Sequence, residues 1–343
     1  MVERIMSYPA STKQVRLAAE ANLTLYVDAA AGSDSTGRGT QAQPFASIAA
    51  AMEHLRGYDG RGHDLVIQVA AGTYGAFVAG EWLNSWQTIQ LLGDVVTPSN
   101  CKITAAGQLT LVAHFKHVRS PVYMTGFRVY GAGDYEGNLI TLDGCLSFWL
   151  CKPDFTGKME FGDAYSILAL QGGNTYCYVG GTFSILAGSA VRFVIFTGLG
   201  PAMIDFYPDM FETLGNVTSN FAWFVAAPNA YLIVAPSEQS IGGTLTGSVS
   251  RVSALGNLGI DDTFRDALTG AGMTAMADSA VNSALTVIGG AACLGPRTKA
   301  QIAVLAGRRK GSLAYCTDEA GGEVLVFYDG TNWRRVTDRA IMS

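Results

Sequence analysis

Carboxylates carry most of the chemistry open to this chain. In the stretch IDFYPDMFE, Asp205, Asp209 and Glu212 stand close together with Phe206 and Tyr207 among them. Paired carboxylates are the acid and base of glycoside hydrolysis, where they straddle a sugar at roughly 5–9.5 Å. Two further groupings, Asp134/Glu136 and Asp154/Glu160/Asp163, fall in glycine- or proline-marked sequence, where a carboxylate is usually just solvated. Lyase chemistry needs a base with cationic help. No run of Arg, Lys and Asp supplies it, and Lys and Arg total only 23. Aromatics form the second candidate set. Trp82 and Trp86 in EWLNSW, with Tyr130 and Tyr135, are the candidate carbohydrate- or receptor-binding residues, and Trp149, Phe155 and Trp223 could also offer flat faces to sugar rings. An exposed Trp is a binding feature; the competing reading folds Trp82 and Trp86 back as a lid.

Other constellations carry less. His114 and His117 are three apart, and on a strand they face opposite ways, so they cannot share a metal. The six cysteines, Cys101, Cys145, Cys151, Cys177, Cys293 and Cys316, show no CxxC or zinc spacing and read as buried free thiols. GSDSTGRG at Gly32–Gly39 nearly matches a phosphate-binding loop, but Arg38 stands where Lys is needed and Gly39 where Ser or Thr is needed, so a plain turn is expected. No metal or cofactor site is expected.

The elements that must position these residues are β-strands. Charged residues are only 15% of the chain while Gly numbers 41, which argues against disorder and suits tight corners around a stacked apolar interior. Net charge is −5 with no long basic run, so no nucleic-acid partner is expected. No stretch of ~18 apolar residues predicts membrane insertion. MVERIMSYPAST lacks the apolar core of a secretory signal, which predicts synthesis and folding in the cytoplasm.

The organising stretch runs from Leu25 to Leu55. Leu25, Tyr26 and Val27 are β-prone; a polar, glycine-rich loop follows; Ser47 is a plausible N-cap, and Ile48, Met52 and Leu55 share one helical face. This predicts a capping helix over 47–56. The pattern YVDxxxGsD…G…PFxSIxxA, carried by Tyr26, Val27, Asp28, Gly32, Ser33, Asp34, Pro44, Phe45, Ser47 and Ile48, resembles the entry segment of right-handed parallel β-helix proteins of the pectate-lyase-like type. It is most similar to the versions in bacteriophage tail spikes and tail fibres. IQVAAGTY resembles the first rung of that family and TGSVSRVSALGNLGI its closing rung.

β-prone runs then recur at Thr88–Leu92, Leu109–Val112, Phe127–Tyr130, Leu146–Leu150, Tyr176–Val179, Val191–Phe196, Ala222–Val225, Tyr231–Val234 and Val249–Val252, starting about every twenty residues. The competing β-sandwich would need more Asn-Gly or Asp-Gly hairpin turns, and the tract before Gly259 has only Asp143-Gly144. Upstream, Ser11 with Gln14 fits a capping box, so residues 1–22 predict a short helical anchor. Downstream, 261–306 reads as a small-residue linker. Residues 307–343 read as a β module, and AYCTDEAGGEVLVFYDGTNWRRV resembles the terminal β-meander of phage fibre proteins.

The expectation is therefore an all-β chain: a right-handed parallel β-helix over 23–260, a short N-terminal helix and a small C-terminal β-meander. The resemblance implies a homotrimeric virion structural protein, a tail spike, tail fibre or head spike. It would anchor to other virion proteins through its N-terminal segment and contact a host surface polysaccharide or receptor. Phe327 and Trp333 are the expected oligomerisation residues. The alternative is a polysaccharide depolymerase, a glycoside hydrolase or lyase acting on capsule or O-antigen.

Overall fold

The computed structural model describes residues 17–80, 86–106, 111–132, 137–151, 157–172, 175–198, 201–219, 221–252, 257–276, 296–303, 312–318 and 322–336. The chain divides into two compact units, 1–279 and 280–343.

The first unit is a parallel β-solenoid of about six turns. Among the described residues its strands line up in three sheets of nine, seven and eight strands, and the pairing within each is parallel. Between its first and last turns each strand pairs with the strand three on in the chain, the mark of a coil with three strands per turn. Phe148 pairs with Cys177, Cys177 with Ile204, and Ile204 with Leu232. Residues 27 to 29 apart therefore stack one above another, as their side-chain hydrogen bonds also record. The turn is longer than the twenty-residue spacing read from the sequence because each one holds three strands.

The strands form because alternate residues can be buried completely. Leu65, Ile67 and Val69 point inward, and the same alternation runs through Phe148/Leu150, Cys177/Val179 and Ile204/Phe206. Phenylalanines stack along the axis: Phe161 lies 4.6 Å from Phe183, and Phe183 stacks on Phe211 at 5.8 Å and 11°. Such pairs add ~0.5–1.5 kcal/mol beyond area burial. Corners are turned by residues with positive φ, Gly144 (62°) among them; there Asp143-Gly144 turns the chain onward to the next parallel strand rather than back in a hairpin.

Both ends of the core are covered. At the start, α1 (Ile48–His54) buries Ile48, Ala51 and Met52, and Leu55 follows in a short 3-10 turn. The Ser47 hydroxyl accepts from the Ala50 amide, as an N-cap should. Asp34 accepts from the amides of Ala46 and Ser47 and from the Ser47 hydroxyl, so the glycine-rich loop fixes the helix entry. At the far end, α2 (Asp262–Gly270) is capped by Asp261, which accepts from the Phe264 amide at 2.9 Å. Its Phe264 and Leu268 are fully buried, with Phe264 edge-on to Phe211 at 4.9 Å. Residues 261–276, expected to open a linker, thus close the solenoid, because an amphipathic helix covers apolar surface that a linker would leave wet.

The helical anchor expected over 1–22 lies mostly outside the described residues. Its described part is extended instead: Leu17–Ala18 pairs in parallel with Tyr58–Asp59, where backbone groups find partners that an isolated short helix would lack.

In the second unit, Leu313–Cys316, Val324–Tyr328 and Trp333–Arg335 form an antiparallel meander, joined by Pro296–Arg297. With α3 (Lys299–Ala303) it builds a small core of Ile302, Ala314, Cys316, Val326 and Trp333. Asp329 accepts from the Thr331 and Asn332 amides and pairs with Arg334, which pulls its pKa down to about 2, the Asn332 amide having the largest effect.

Candidate functional site

The outward residues of the nine-stranded sheet include a row of aromatic rings. In parallel register Tyr123 lies beside Trp149, Trp149 beside Tyr178 and Tyr178 beside Asp205. Ring centroids are 5.8 Å apart for Tyr123–Trp149 and 4.9 Å for Trp149–Tyr178, with planes tilted by only 35° and 36°. Tyr207, just past the end of the Ala202–Phe206 strand, lies 6.5 Å from Tyr178. A second outward column runs Ser147, Tyr176, Met203, Tyr231, of which Met203 and Tyr231 are exposed. Successive rungs are ~4.8 Å apart, so the rows form a ribbon of rings along the solenoid.

The ribbon is held stiffly. The Trp149 indole N–H donates to the Ser147 hydroxyl at 2.8 Å, and the Tyr176 hydroxyl donates to Asp205 Oδ2 at 3.0 Å. Gly180 gives the Tyr178 ring its place: a Cβ there would fall 2.8 Å from that ring. Burial, then the bond to Asp205, pushes the Tyr176 phenol up to about 12. Burial, followed by the charges of Asp209 and Asp205, raises Tyr178, and burial followed by Asp205 raises Tyr207. These phenols stay uncharged hydrogen-bond donors at neutral pH.

At its N-terminal end the ribbon runs into a groove of about 310 Å³ lined by Asp64, Gln87, Thr88, Gln90, Val95 and Tyr123, among others. Thr88 donates to Asp64 at 2.8 Å, and Gln90 donates to Thr88 at 3.3 Å.

Asp205 and Glu212 are separated by a corner. Asp205 faces outward on the nine-stranded sheet, Asp209 is exposed in the turn, and Glu212 faces outward on the seven-stranded sheet. There Glu212 belongs to a charge cluster. Lys158 Nζ lies 3.0 Å from Glu212 and 3.6 Å from Glu160, Ser184 donates to Glu212 at 2.5 Å, and Arg128 holds Glu160 at 2.6 Å. Burial raises the Glu212 pKa, but the Ser184 and Lys158 contacts outweigh it and the net direction is down. Asp205 and Glu212 of IDFYPDMFE therefore face outward on different sheets, because a corner turns the chain between them.

The candidate aromatics also separate. Trp86 is buried, its ring so close to Gly60 that a Cβ there would fall 2.4 Å from it; it fills the core and offers no face to a ligand. Tyr130 lies on the seven-stranded sheet, packed over Gly162. Trp82 and Tyr135 lie outside the described residues, as do Asp134, Glu136, Asp154 and Phe155, while Trp223 is fully buried. Of the aromatics singled out in the sequence, Trp149 stands at the centre of the ribbon. Its partners Tyr123 and Tyr178 stand 26 residues before it and 29 after it, the length of a turn.

Among the described residues no helix is long and apolar enough to cross a membrane. No protein-family model, no curated protein and no solved structure matches the chain.

Proposed function

We propose that the protein is a virion adhesion protein, a phage or phage-like tail spike, tail fibre or head spike. It would bind a host surface polysaccharide along the outer face of its nine-stranded sheet. The Tyr123–Trp149–Tyr178 row carries this reading, because three rings held at 5.8 and 4.9 Å on a stiff scaffold suit stacking against successive sugars. The resemblances of the entry segment and the terminal meander supply the viral half of the proposal. They also supply the homotrimer and the attachment to other virion proteins through the N-terminal segment. The test is binding of the purified protein to a panel of bacterial capsular and O-antigen polysaccharides. Trp149→Ala should abolish binding while the circular dichroism spectrum is retained; unchanged binding would refute the placement.

The alternative, a depolymerase, draws on Asp205 and Asp209, whose charges both act on Tyr178. Release of reducing ends or of unsaturated uronate absorbance in the same assay would favour it.

A further inference from the structure

Charge is distributed very unevenly over the three sheets. The nine strands that carry the aromatic ribbon read LTLYV, LVIQV, IQLL, VYMT, SFWL, TYCYV, AMIDF, AYLIV and NLGI, and none contains a Lys or Arg. Their only charged residue is Asp205. The strands of the other two sheets hold the cations instead, Lys102, Arg128 and Lys158 on one and Lys116, Arg192 and Arg251 on the other. The corners flanking the ribbon add Asp64 and Asp209; of the cations outside the strands, the nearest in sequence are Lys152, two residues after Leu150, and Arg119, three before Val122.

We infer that the glycan this face takes is built of neutral or amino sugars and carries no acidic substituents. The inference rests on the carbohydrate-binding reading above and names the class of sugar. A uronate, sialate or phosphate laid along Tyr123, Trp149 and Tyr178 meets Asp205 at one end and Asp64 at the other, with no strand-borne cation to neutralise it. Binding of acidic polymers is normally built on Arg and Lys, and like-charge juxtaposition selects against the wrong partner. A sugar hydroxyl or an amino-sugar ammonium instead finds an acceptor in Asp205, whose Oδ2 already takes the Tyr176 hydrogen. The uncharged phenols of Tyr178 and Tyr207 supply donors.

The experiment sorts the polysaccharide panel into neutral or amino-sugar polymers and uronic- or sialic-acid polymers, and measures binding at low and high salt. The neutral or amino-sugar group should bind, with acidic polymers weaker by roughly tenfold or more at low salt. Asp205→Asn should narrow that gap. Tyr231→Ala, an exposed position on the same face, should weaken binding even if Trp149→Ala does not fold. Tighter binding of acidic polymers that Tyr231→Ala or Trp149→Ala still abolishes would overturn the inference and leave the adhesion reading standing. No binding across the panel, or binding that neither variant touches, would overturn the reading itself and the inference with it.

Discussion

Tyr176 and Asp205 sit one solenoid turn apart, the phenol donating to Oδ2 at 3.0 Å. The phenol's pKa rises from 10.0 to about 12, so the folded chain favours the protonated form. A raised pKa gives stability that is fully present below pH 10 and is lost as pH rises through about 12. Thermal midpoints should be level through neutral pH and fall in that window. Tyr176→Phe should make the fall shallower, although Tyr74, also pushed up to about 12 chiefly by burial, will keep part of it. An identical fall in the variant would show that this pair does not contribute.

The Lys158 ammonium sits between two carboxylates on the seven-stranded sheet, and Glu160 is almost buried. Lys158→Met should destabilise by about 1–3 kcal/mol, since it leaves charge-assisted hydrogen bonds unmade. The Glu212 pKa is depressed, so its contribution is present above the ordinary value of 4.5 and is lost as pH falls through the lowered one. Acid titration of the melting temperature should show that loss in the wild type and much less of it in Lys158→Met. Equal acid sensitivity would assign the effect elsewhere.

The strands of the nine-stranded sheet and its inward rows were largely legible in the sequence, because LVIQV, TYCYV and AYLIV bury alternate apolar residues. Apart from the Phe127–Tyr130 run, most strands of the seven-stranded sheet were not: KMEF, TFSI and MFETL are short and carry polar or charged outer residues, so their apolar signal is weak. That concealment misjudged the period and grouped Asp205 with Glu212, since the corner at Tyr207–Asp209 has no glycine to announce it. The aromatic ribbon was hidden for the same reason. Tyr123, Trp149 and Tyr178 look unrelated until the turn length is known, and then they fall in one row.

Two end caps protect the same apolar column, so damage to either should open it. Met52 in α1 is fully buried, and Met52→Asp places an unpartnered charge there, at a cost of several kcal/mol. Phe211 touches Phe183, Phe206, Trp223 and Phe264, so Phe211→Ala should cost ~3–5 kcal/mol and loosen α2 from the core. Denaturant titration measures both. Hydrogen exchange should show the α2 amides exposed in the Phe211 variant, and unchanged protection there would mean that the helix is held by other contacts.

Phe327 and Trp333 lie on neighbouring strands of the second unit but serve different faces. Trp333 is buried in the unit's own core and packs against Tyr328 at 5.4 Å. Phe327 pairs with Leu313 on the opposite face, where Leu313 is exposed and Tyr315 and Leu325 are only partly covered. Burying a large apolar side chain is worth ~1.5–3 kcal/mol, so three copies of that open face could hold the proposed homotrimer. Trp333→Ala should therefore unfold the meander, while Phe327→Asp should leave it folded and weaken association. Deletion after Gly307 should give monomers or aggregates by light scattering with the solenoid's circular dichroism spectrum largely retained. A Phe327→Asp protein that stays a trimer, beside a truncated one that does not, would move the contact to another part of the unit. A truncated protein that stays a trimer would move it to the solenoid or to the N-terminal segment.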